Sequence, residues 1–361
     1  MPFPPDYGGV QDVFFKIVAL HSAGVEVILH CFEYGRSPAP ILETYCKEVH
    51  YYKRKTGFFE HLHVTPYIIQ SRKSKELLDR LLKDDFQILF EGLHTCSIIN
   101  HPLLNGRIKI YRESNIEHDY YRGLFRSAVT LKERLFYLVE SVKLKIFEKK
   151  LKHAQIMLAV TLSDRNHLKV RFPNSKVEYL ASFHPYDEVN ISKGKGSYIL
   201  FHGNLEVPEN FHALEFLLDK VFKEIRYPII VAGKMNSDRI ERRLARLPNI
   251  RLISNPSMEK MAELITGAQV HCLFTKQATG LKLKLLNVLF LGRFVICNAE
   301  MLSGTPFREL CVIAETPAEF IKKLHICMAE DFTEELISKR KLKLEDFTNR
   351  AKIKEMIDII F

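Results

Sequence analysis

The run ATGLKLKLLN, residues 278–287, follows a short apolar segment and opens a helical pattern. A turn at the start of a helix presents free backbone N–H groups, and the helix dipole adds partial positive charge there. Thr279 and Gly280 stand in this turn, and Lys282 and Lys284 add two full positive charges. Because lysines are unfavourable at a helix N-terminus without an anion, the run predicts a diphosphate-binding turn. The alternative is a basic, solvated first turn of a helix.

Short apolar runs surround this turn at regular spacing and predict a series of strands at residues 198–201, 227–231, 250–252, 270–273 and 294–296. Gly203 and Asn204 follow the first run, and Gly233 and Lys234 follow the second. Ligands bind at the carboxyl ends of parallel strands in α/β folds. The three turns together therefore predict one pocket for an anionic ligand, although each turn by itself could be a simple connection.

The amino-terminal half has the same alternation, with strand candidates at residues 25–30, 87–90, 108–110 and 156–160. Gly8 and Gly9 precede its first helical pattern. Glycines at this position allow the backbone to approach a ligand, although they are also typical of an ordinary turn. His94 follows the second of these runs, and Glu117 and His118 follow the third. Histidine can bond a substrate hydroxyl or shuttle a proton near neutral pH. Both histidines are therefore candidate catalytic residues, although a lone histidine is more often structural.

Length and pattern predict an α/β protein with two parallel-sheet domains, because 361 residues with 47% hydrophobic content can form two separate cores. The domains are expected at 1–183 and 198–340, joined by a polar linker at 184–197 and followed by a helical segment at 341–361. No run approaches the ~20 apolar residues of a membrane-spanning helix, and the start lacks a signal-peptide core. Seven scattered cysteines without a CxxC pair indicate buried thiols in a reducing compartment, so a cytoplasmic location is expected.

The net charge of +10 suggests a nucleic acid, an anionic membrane surface or a phosphorylated substrate as partner. Residues 122–153 carry nine Lys/Arg against three Glu. An apolar stripe runs beside these charges, formed by Leu131, Leu135, Leu138, Val142 and Ile146. This combination predicts docking on an anionic membrane surface, the alternative being that the stripe packs on its own domain. The sequence has no nucleic-acid recognition module and no GxGxxG after a strand, which argues against nucleic-acid binding and nicotinamide chemistry.

These motifs, in their order along the chain, resemble those of retaining GT-B glycosyltransferases of the group-1, or family 4, type. The likeness spans nearly the whole chain and is most specific at residues 280–289. Its other parts are Gly8-Gly9, the runs at 91–95 and 115–118, and the turns at 203–205 and 232–234. The resemblance implies a GT-B fold, in which two Rossmann-like domains face a central cleft. The amino-terminal domain would hold a glycan or lipid-linked acceptor, and the carboxyl-terminal domain would hold a nucleoside-diphosphate sugar.

The resemblance also implies a role for each candidate residue. The donor side would comprise Gly8, Gly9, Gly203, Asn204, Gly233, Lys234, Thr279, Gly280, Lys282, Lys284 and Asn287. The acceptor side would have His94, Glu117 and His118. The lysines would stabilise the charge on the leaving diphosphate in place of a metal ion, so no metal and no cofactor is expected. The final helix would cross back to the amino-terminal domain, and the enzyme would be cytoplasmic or peripheral at the inner membrane surface.

Two features depart from the family pattern. The family usually carries two glutamates eight positions apart, one for the donor sugar and one for the ribose, where this chain has Thr279 and Asn287. Neither is charged, although the Asn287 amide oxygen can accept a hydrogen bond from a ribose hydroxyl. Sugar transfer is therefore the expected activity, with an inactive sugar-nucleotide-binding protein and a GT-B-type nucleotide-sugar epimerase as alternatives.

The second departure concerns the start of the chain. Related domains have a β-strand before the Gly-Gly turn, whereas here only seven residues precede that turn. We therefore expect either that the chain begins downstream of the native start or that its first sheet lacks a central strand.

Overall fold

The computed structural model describes residues 1–6, 8–128, 130–235, 238–276 and 283–361. These residues form two compact α/β units. The first unit contains Met1–Phe183 and Asn349–Phe361, and the second lies within residues 184–348. The chain thus leaves the first unit after Phe183 and returns to it after Thr348.

The first unit alternates helices and strands. In chain order its elements are α1 (Gly8–Ser22), β1 (Ile28–Glu33), α2 (Ile41–Tyr45), β2 (Glu48–Lys53), α3 (Tyr67–Gln70), α4 (Lys75–Leu81), β3 (Ile88–Glu91), β4 (Lys109–Glu113), α5 (Glu117–Ser127), α6 (Leu131–Phe147), β5 (Ile156–Ala159), α7 (Leu162–Arg171) and β6 (Lys176–Tyr179). Capping fixes several of the helix starts. At α6, for example, the Thr130 hydroxyl accepts from the Glu133 N–H while the Glu133 carboxylate accepts from the Thr130 N–H, each over 3.2 Å.

The strands of the first unit form two separate parallel sheets. β1 pairs with β2, with Ile28 opposite Glu48. The other sheet has the order β3-β4-β5-β6, with Ile88 opposite Lys109 and Ile110 opposite Ile156. In the described part of the chain, no ladder joins β1 to β3.

The second unit contains one parallel sheet of order β12-β11-β10-β7-β8-β9. In chain order its elements are β7 (Ile199–His202), α8 (Pro208–Lys220), β8 (Ile229–Gly233), α9 (Asp238–Leu244), β9 (Ile250–Ser254), α10 (Met258–Gly267), β10 (Val270–Leu273), α11 (Leu283–Leu291), β11 (Phe294–Cys297), β12 (Val312–Ile313), α12 (Pro317–Ala329) and α13 (Glu334–Leu344). Every residue of β7, β10 and β11 is buried, as expected for central strands covered on both faces. The chain then returns to the first unit as α14 (Asn349–Ile360).

Buried charged groups fasten both ends of the first unit together. Asp12 of α1 accepts a hydrogen bond from the Phe183 N–H over 2.6 Å and lies 3.5 Å from the Arg112 guanidinium. Lys352 of α14 donates to the carbonyl of Ser182. Since buried charges of this kind must be paired, α1, β4 and α14 hold the segment that leads out of the unit in one position.

The predicted strands agree with the observed ones to within three residues at each end, but β2, β6 and β12 were not predicted. The predicted linker at 184–197 is hydrogen-bonded into the second unit. Asn190 N–H donates to the Phe290 carbonyl over 2.9 Å, Gly194 N–H donates to the Phe332 carbonyl over 3.0 Å, and Gly196 N–H donates to Gln269 Oε1 over 2.7 Å.

The predicted boundary at 340 falls inside α13, and the helix that packs in the first unit begins at Asn349. All seven cysteines carry free thiols. Among the described helices, none combines the length and the apolarity needed to cross a membrane.

Candidate functional site

The turns that follow β7 and β8 touch each other. The Gly203 N–H donates to the Ala232 carbonyl over 3.1 Å. A Cβ atom on Gly233 would lie only 1.8 Å from the Gly203 carbonyl oxygen, and the φ of Gly233 is +150°. A side chain at Gly233 would therefore meet backbone that cannot move aside, so the close approach requires glycine. Both turns lie at the carboxyl edge of the second sheet.

Lys284, near the start of α11, is linked to the β7 turn through Asn210 of α8. Lys284 Nζ donates to Asn210 Oδ1 over 2.8 Å, and Asn210 Nδ2 donates to the Asn204 carbonyl over 2.9 Å. A Cβ atom on Gly203 would lie 3.2 Å from the Asn210 side chain. Asn210 is not among the residues predicted from sequence. Its only signal there is its place in the first turn of the helix that follows the Gly203 turn.

Thr275, which lies just beyond β10, connects three elements at the same edge of the sheet. Its hydroxyl donates to the Glu209 carboxylate of α8. Its N–H donates to Asn298 Oδ1 over 3.2 Å, and Asn298 Nδ2 donates back to the Thr275 carbonyl over 2.6 Å. Asn298 follows β11 directly. The ends of β10 and β11 and the first turn of α8 are thereby held in a fixed frame, which a preorganised binding site requires.

Lys234 contributes a positive charge beside the same turns. Its Nζ lies 3.2 Å from Glu206 Oε2, and its side chain is 47% exposed. Its carbonyl accepts from the Leu205 N–H over 2.8 Å, which holds the backbone in place. A half-exposed ion pair contributes little stability, so the amine can turn to an anionic ligand at small cost.

Four further donor-side candidates belong to the run 278–287, namely Thr279, Gly280, Lys282 and Asn287. Thr279, Gly280 and Lys282 fall outside the described residues. Asn287 is half-buried on α11, three residues after Lys284. Residues three apart share one face of a helix, so Asn287 and Lys284 lie on the same side of α11.

Two buried histidines lie on neighbouring strands of this sheet, His202 at the end of β7 and His271 on β10. In the described part of the chain, neither nitrogen of the His202 ring has a hydrogen-bond partner. Burial, with the nearby charge of Lys284, lowers the pKa of His202 to about 3. Burial, with the charges of His202 and Arg340, lowers the pKa of His271 well below its usual value. Both rings are therefore neutral at pH 7. His202 lies near Lys284 but is not among the site residues that we predicted from the sequence.

Gly8 and Gly9, the donor-side candidates of the first unit, form the first turn of α1. The acceptor-side candidates lie near the carboxyl ends of β3 and β4. His94 lies on a 3-10 helix, Leu93–Ile98, that follows β3. Burial, with the charge of Arg72 next, lowers the pKa of His94 to about 3. His94 is therefore neutral at physiological pH.

Glu117 begins α5 at the end of β4. Burial raises the pKa of Glu117 to about 7, although the charge of Arg72 opposes this. A carboxyl group with a pKa near 7 is suited to exchange protons at physiological pH. The charge of Arg72 acts on both Glu117 and His94, so the three residues form one electrostatic group. Arg72 is not among the residues predicted from the sequence.

His118 is buried among partners of its own. Its Nδ1 lies 3.5 Å from Glu148 Oε1, and its carbonyl accepts from the Ser141 hydroxyl over 2.8 Å. Although burial raises the pKa of Glu148, hydrogen bonds from His118 and His167 bring it down to about 2. His118 thus takes part in a cluster of polar side chains that ties α5 to the segment after α6, so its ring already has a structural role.

No protein-family model matches the chain. The sequence is 24% identical over 350 residues to an uncharacterized 44.6 kDa protein in the cps region of Klebsiella pneumoniae, with 90% of this chain and 87% of that protein covered. Among solved structures, HepE of Anabaena in complex with UDP and glucose matches with a TM-score of 0.64 at 9% identity, covering 98% of both chains. A glycosyltransferase from Rickettsia africae also matches with a TM-score of 0.64, at 12% identity, covering 98% of this chain and 94% of that chain.

The chain has the GT-B fold. A third GT-B structure, Medicago truncatula UGT71G1 complexed with UDP-glucose, matches with a TM-score of 0.54 at 10% identity and covers 98% of this chain and 95% of that one. The expected fold class is therefore confirmed. The GT-B fold is shared by enzymes that differ in donor, acceptor and stereochemistry, so the retaining, family 4 assignment stays a prediction.

Proposed function

We propose that this GT-B protein is a glycosyltransferase that moves a sugar from a nucleoside-diphosphate sugar to a glycan or lipid-linked acceptor, with retention of configuration. The observation that supports the donor most directly is the cluster at the carboxyl edge of the second sheet. There the turns after β7 and β8 meet, and Lys284 is held against them through Asn210. The lysine charge beside these glycine-containing strand ends suits a diphosphate.

The proposed chemistry follows from this arrangement. When the bond between sugar and diphosphate breaks, negative charge grows on the leaving phosphate. Lys284 and, by sequence, Lys282 and the Gly280 turn would stabilise that charge. On the acceptor side, Glu117 is the group best suited to exchange a proton, since its pKa lies at about 7. HepE and the Medicago protein carry UDP or UDP-glucose, so UDP-sugars are the first donors to test.

The test is a panel of UDP-, GDP- and dTDP-sugars, read by thermal shift for binding and by release of nucleoside diphosphate for turnover. We expect one donor to raise the melting temperature and to turn over only when an acceptor is added. Conversion of the donor alone would favour an epimerase, and binding without any turnover would favour an inactive sugar-nucleotide-binding protein. NMR of the product gives the anomeric configuration and tests retention.

We expect turnover to be independent of metal, because lysines take the place of a metal ion at the diphosphate in the proposed site. The measurement is the same turnover assay with EDTA, followed by addition of magnesium or manganese. Activity that EDTA abolishes and either metal restores would contradict this expectation.

Asn287 is the residue that departs most from the family pattern. If its amide oxygen accepts the ribose hydroxyl, Asn287→Leu should weaken nucleotide binding by about 1–3 kcal/mol, since one hydrogen bond is lost and its partner is left unsatisfied. Asn287→Glu should keep or improve the affinity, because a carboxylate is the stronger acceptor. Calorimetric titration of UDP and GDP into the wild type and both variants measures this. Equal affinities in all three proteins would remove Asn287 from the site.

We also propose that the first unit docks on an anionic membrane surface, where a lipid-linked acceptor would be presented. The side chains of the α6 stripe are exposed, from 83% at Leu131 to 44% at Leu138. Phe58, Phe59 and Leu62 are exposed as well, and Lys143 Nζ donates to the His61 carbonyl over 3.2 Å, which places this segment beside α6. Apolar side chains next to lysines are the combination that binds an anionic interface.

Liposome flotation measures this docking. We expect the protein to float with vesicles that contain phosphatidylglycerol, less so with pure phosphatidylcholine, and to be released by about 0.5 M salt, since charge attraction is screened there. The double variant Leu131→Gln with Leu135→Gln should lose flotation. Leu342→Gln is a matched control, because Leu342 is also exposed, at 72%, but lies on α13 of the second unit. Binding that neither salt nor the double variant reduces would reject this docking surface.

A further inference from the structure

Two arginines of the first unit are held close together, Arg54 directly after β2 and Arg72 just after α3. Arg54 Nε donates to Ser71 Oγ over 2.9 Å, and the Lys55 N–H donates to the Ser71 carbonyl over 2.9 Å. Arg72 Nη1 donates to the Ile68 carbonyl over 2.5 Å. Among the ion pairs of the described residues, none includes either arginine.

The positive charge of this pair is not balanced within the unit. Burial, with the charge of Arg54 next, lowers the pKa of Arg72 to about 10. Glu117 attracts Arg72, but its own pKa of about 7 leaves that carboxyl only partly ionised at pH 7. Charged groups that are withdrawn from water are normally paired with an opposite charge. An anion beside Arg54 and Arg72 would therefore be strongly favoured.

Aromatic rings hold Arg54 in position. Its guanidinium carbon lies 4.3 Å from the centre of the Tyr34 ring and 5.3 Å from the centre of the Tyr67 ring. Tyr67 is stacked in turn on His61, with 3.9 Å between the ring centres. Stacking engages the face of a guanidinium and leaves the N–H groups on its edge available to an oxyanion.

The two arginines lie between the acceptor-side candidates and the exposed apolar segment of the first unit. The charge of Arg72 acts on His94 and Glu117. On the other side, Phe58 and Phe59 begin the short 3-10 helix that follows Arg54, and both are exposed. A ligand held by the arginines would therefore lie close to the residues that we assign to the acceptor.

We propose that Arg54 and Arg72 form a subsite for a phosphate group carried by the acceptor. A phosphate monoester has a charge of about −1.5 to −2 near pH 7 and three oxygens that accept hydrogen bonds, which matches two guanidiniums. A carboxylate carries one charge and would balance only one of them. The inference rests on the proposed sugar transfer for describing the ligand as the acceptor, whereas the subsite itself is tested by binding alone.

The experiment is calorimetric titration in the absence of any donor, with geranyl phosphate and glucose 1-phosphate as probes for a lipid-borne and a soluble phosphate. We expect the wild type to bind at least one probe and not to bind geraniol, which lacks the phosphate. The double variant Arg54→Gln with Arg72→Gln should weaken that binding at least about tenfold, since charge-assisted hydrogen bonds are lost. Arg80→Gln is the matched control, because Arg80 pairs with Glu76 on α4 of the same unit.

The probe that binds more tightly identifies the source of the phosphate. The absence of binding for both probes overturns the subsite, as do equal affinities in the wild type and the double variant. Equal affinity for geraniol and geranyl phosphate also overturns it, because the phosphate would then not be recognised.

Two further variants separate this subsite from misfolding and from the proposed donor site. Arg54→Gln alone leaves the partly buried Arg72 in place, and it should weaken binding about fivefold or more without a change in melting temperature. Lys284→Ala should leave the affinity for the probe unchanged. A loss in Lys284→Ala with none in Arg54→Gln would place the phosphate at the donor turns and overturn the subsite.

The donor panel makes the two proposals separable. A protein that turns over a nucleotide sugar but binds neither probe keeps the proposed sugar transfer and overturns only the subsite. A protein that binds a probe through Arg54 but binds no nucleotide sugar supports the subsite and contradicts the proposed sugar transfer.

Discussion

Lys282→Ala combined with Lys284→Ala should weaken the binding of the nucleotide-sugar donor by about 2–4 kcal/mol, which is roughly 30- to 700-fold in Kd. Each charge-assisted hydrogen bond to a phosphate contributes about 1.5–3 kcal/mol, and neighbouring contributions are not fully additive. Lys284 also holds Asn210 against the turn after β7, so its loss frees that turn as well.

Calorimetric titration of the best donor from the nucleotide-sugar panel measures the change. Lys260→Ala is a suitable control, because Lys260 is exposed on α10 and pairs only with Glu263 among the ion pairs of the described residues. The control removes one positive charge from the same unit without touching the turns. Wild-type affinity in the double variant would place the diphosphate elsewhere in the protein.

Gly233→Ala should lower the free energy of unfolding by about 2–5 kcal/mol and remove donor binding. The added Cβ would lie 1.8 Å from the Gly203 carbonyl oxygen, and a φ of +150° is strained for any residue with a side chain. Strain of this kind is worth about 1–3 kcal/mol, and overpacking adds a similar amount. Relief of the clash requires the two turns to separate, which dismantles the proposed diphosphate site.

Gly106→Ala provides the matched control for this variant, since a Cβ atom there meets nothing within 4 Å. Because the chain has no tryptophan, far-UV circular dichroism in urea is the appropriate stability measurement. Equal unfolding curves for both variants would show that the two turns do not approach as closely as described.

Most of the fold could be predicted from the sequence, because a parallel sheet buried on both faces produces continuous apolar runs. β7, β8, β10 and β11 all appear as such runs. β2 was missed because its sequence EVHYYK mixes charged and aromatic residues, and β12 because two residues carry no pattern. The stretch 184–197 was predicted as a polar linker from its composition, but backbone hydrogen bonds, which leave no trace in composition, attach it to the second unit.

The candidate site could be predicted only where it depends on strand ends. Gly203 follows β7 and Gly233 ends β8, so the rule that ligands bind at the carboxyl ends of parallel strands predicts that the two glycines lie at the same edge of the sheet. Asn210 and Arg72 act across distances set by tertiary packing, and no local pattern distinguishes them from other polar residues. The partner of His118, Glu148, lies thirty residues further along the chain and is likewise invisible in the sequence.

The discontinuous first unit has a consequence for the order in which the protein is made. Leu20 of α1 and Phe183 belong to a core that also contains Ile353, Met356 and Ile360 of α14. A ribosome that adds roughly 5–20 residues per second needs about 10–30 s to synthesise the stretch between Phe183 and α14. Throughout that interval the nascent amino-terminal unit displays an uncovered apolar face. Its folding can be completed only after the entire second unit has emerged, so a chain that ends just before α14 keeps every residue of the second unit but leaves the first unit incomplete.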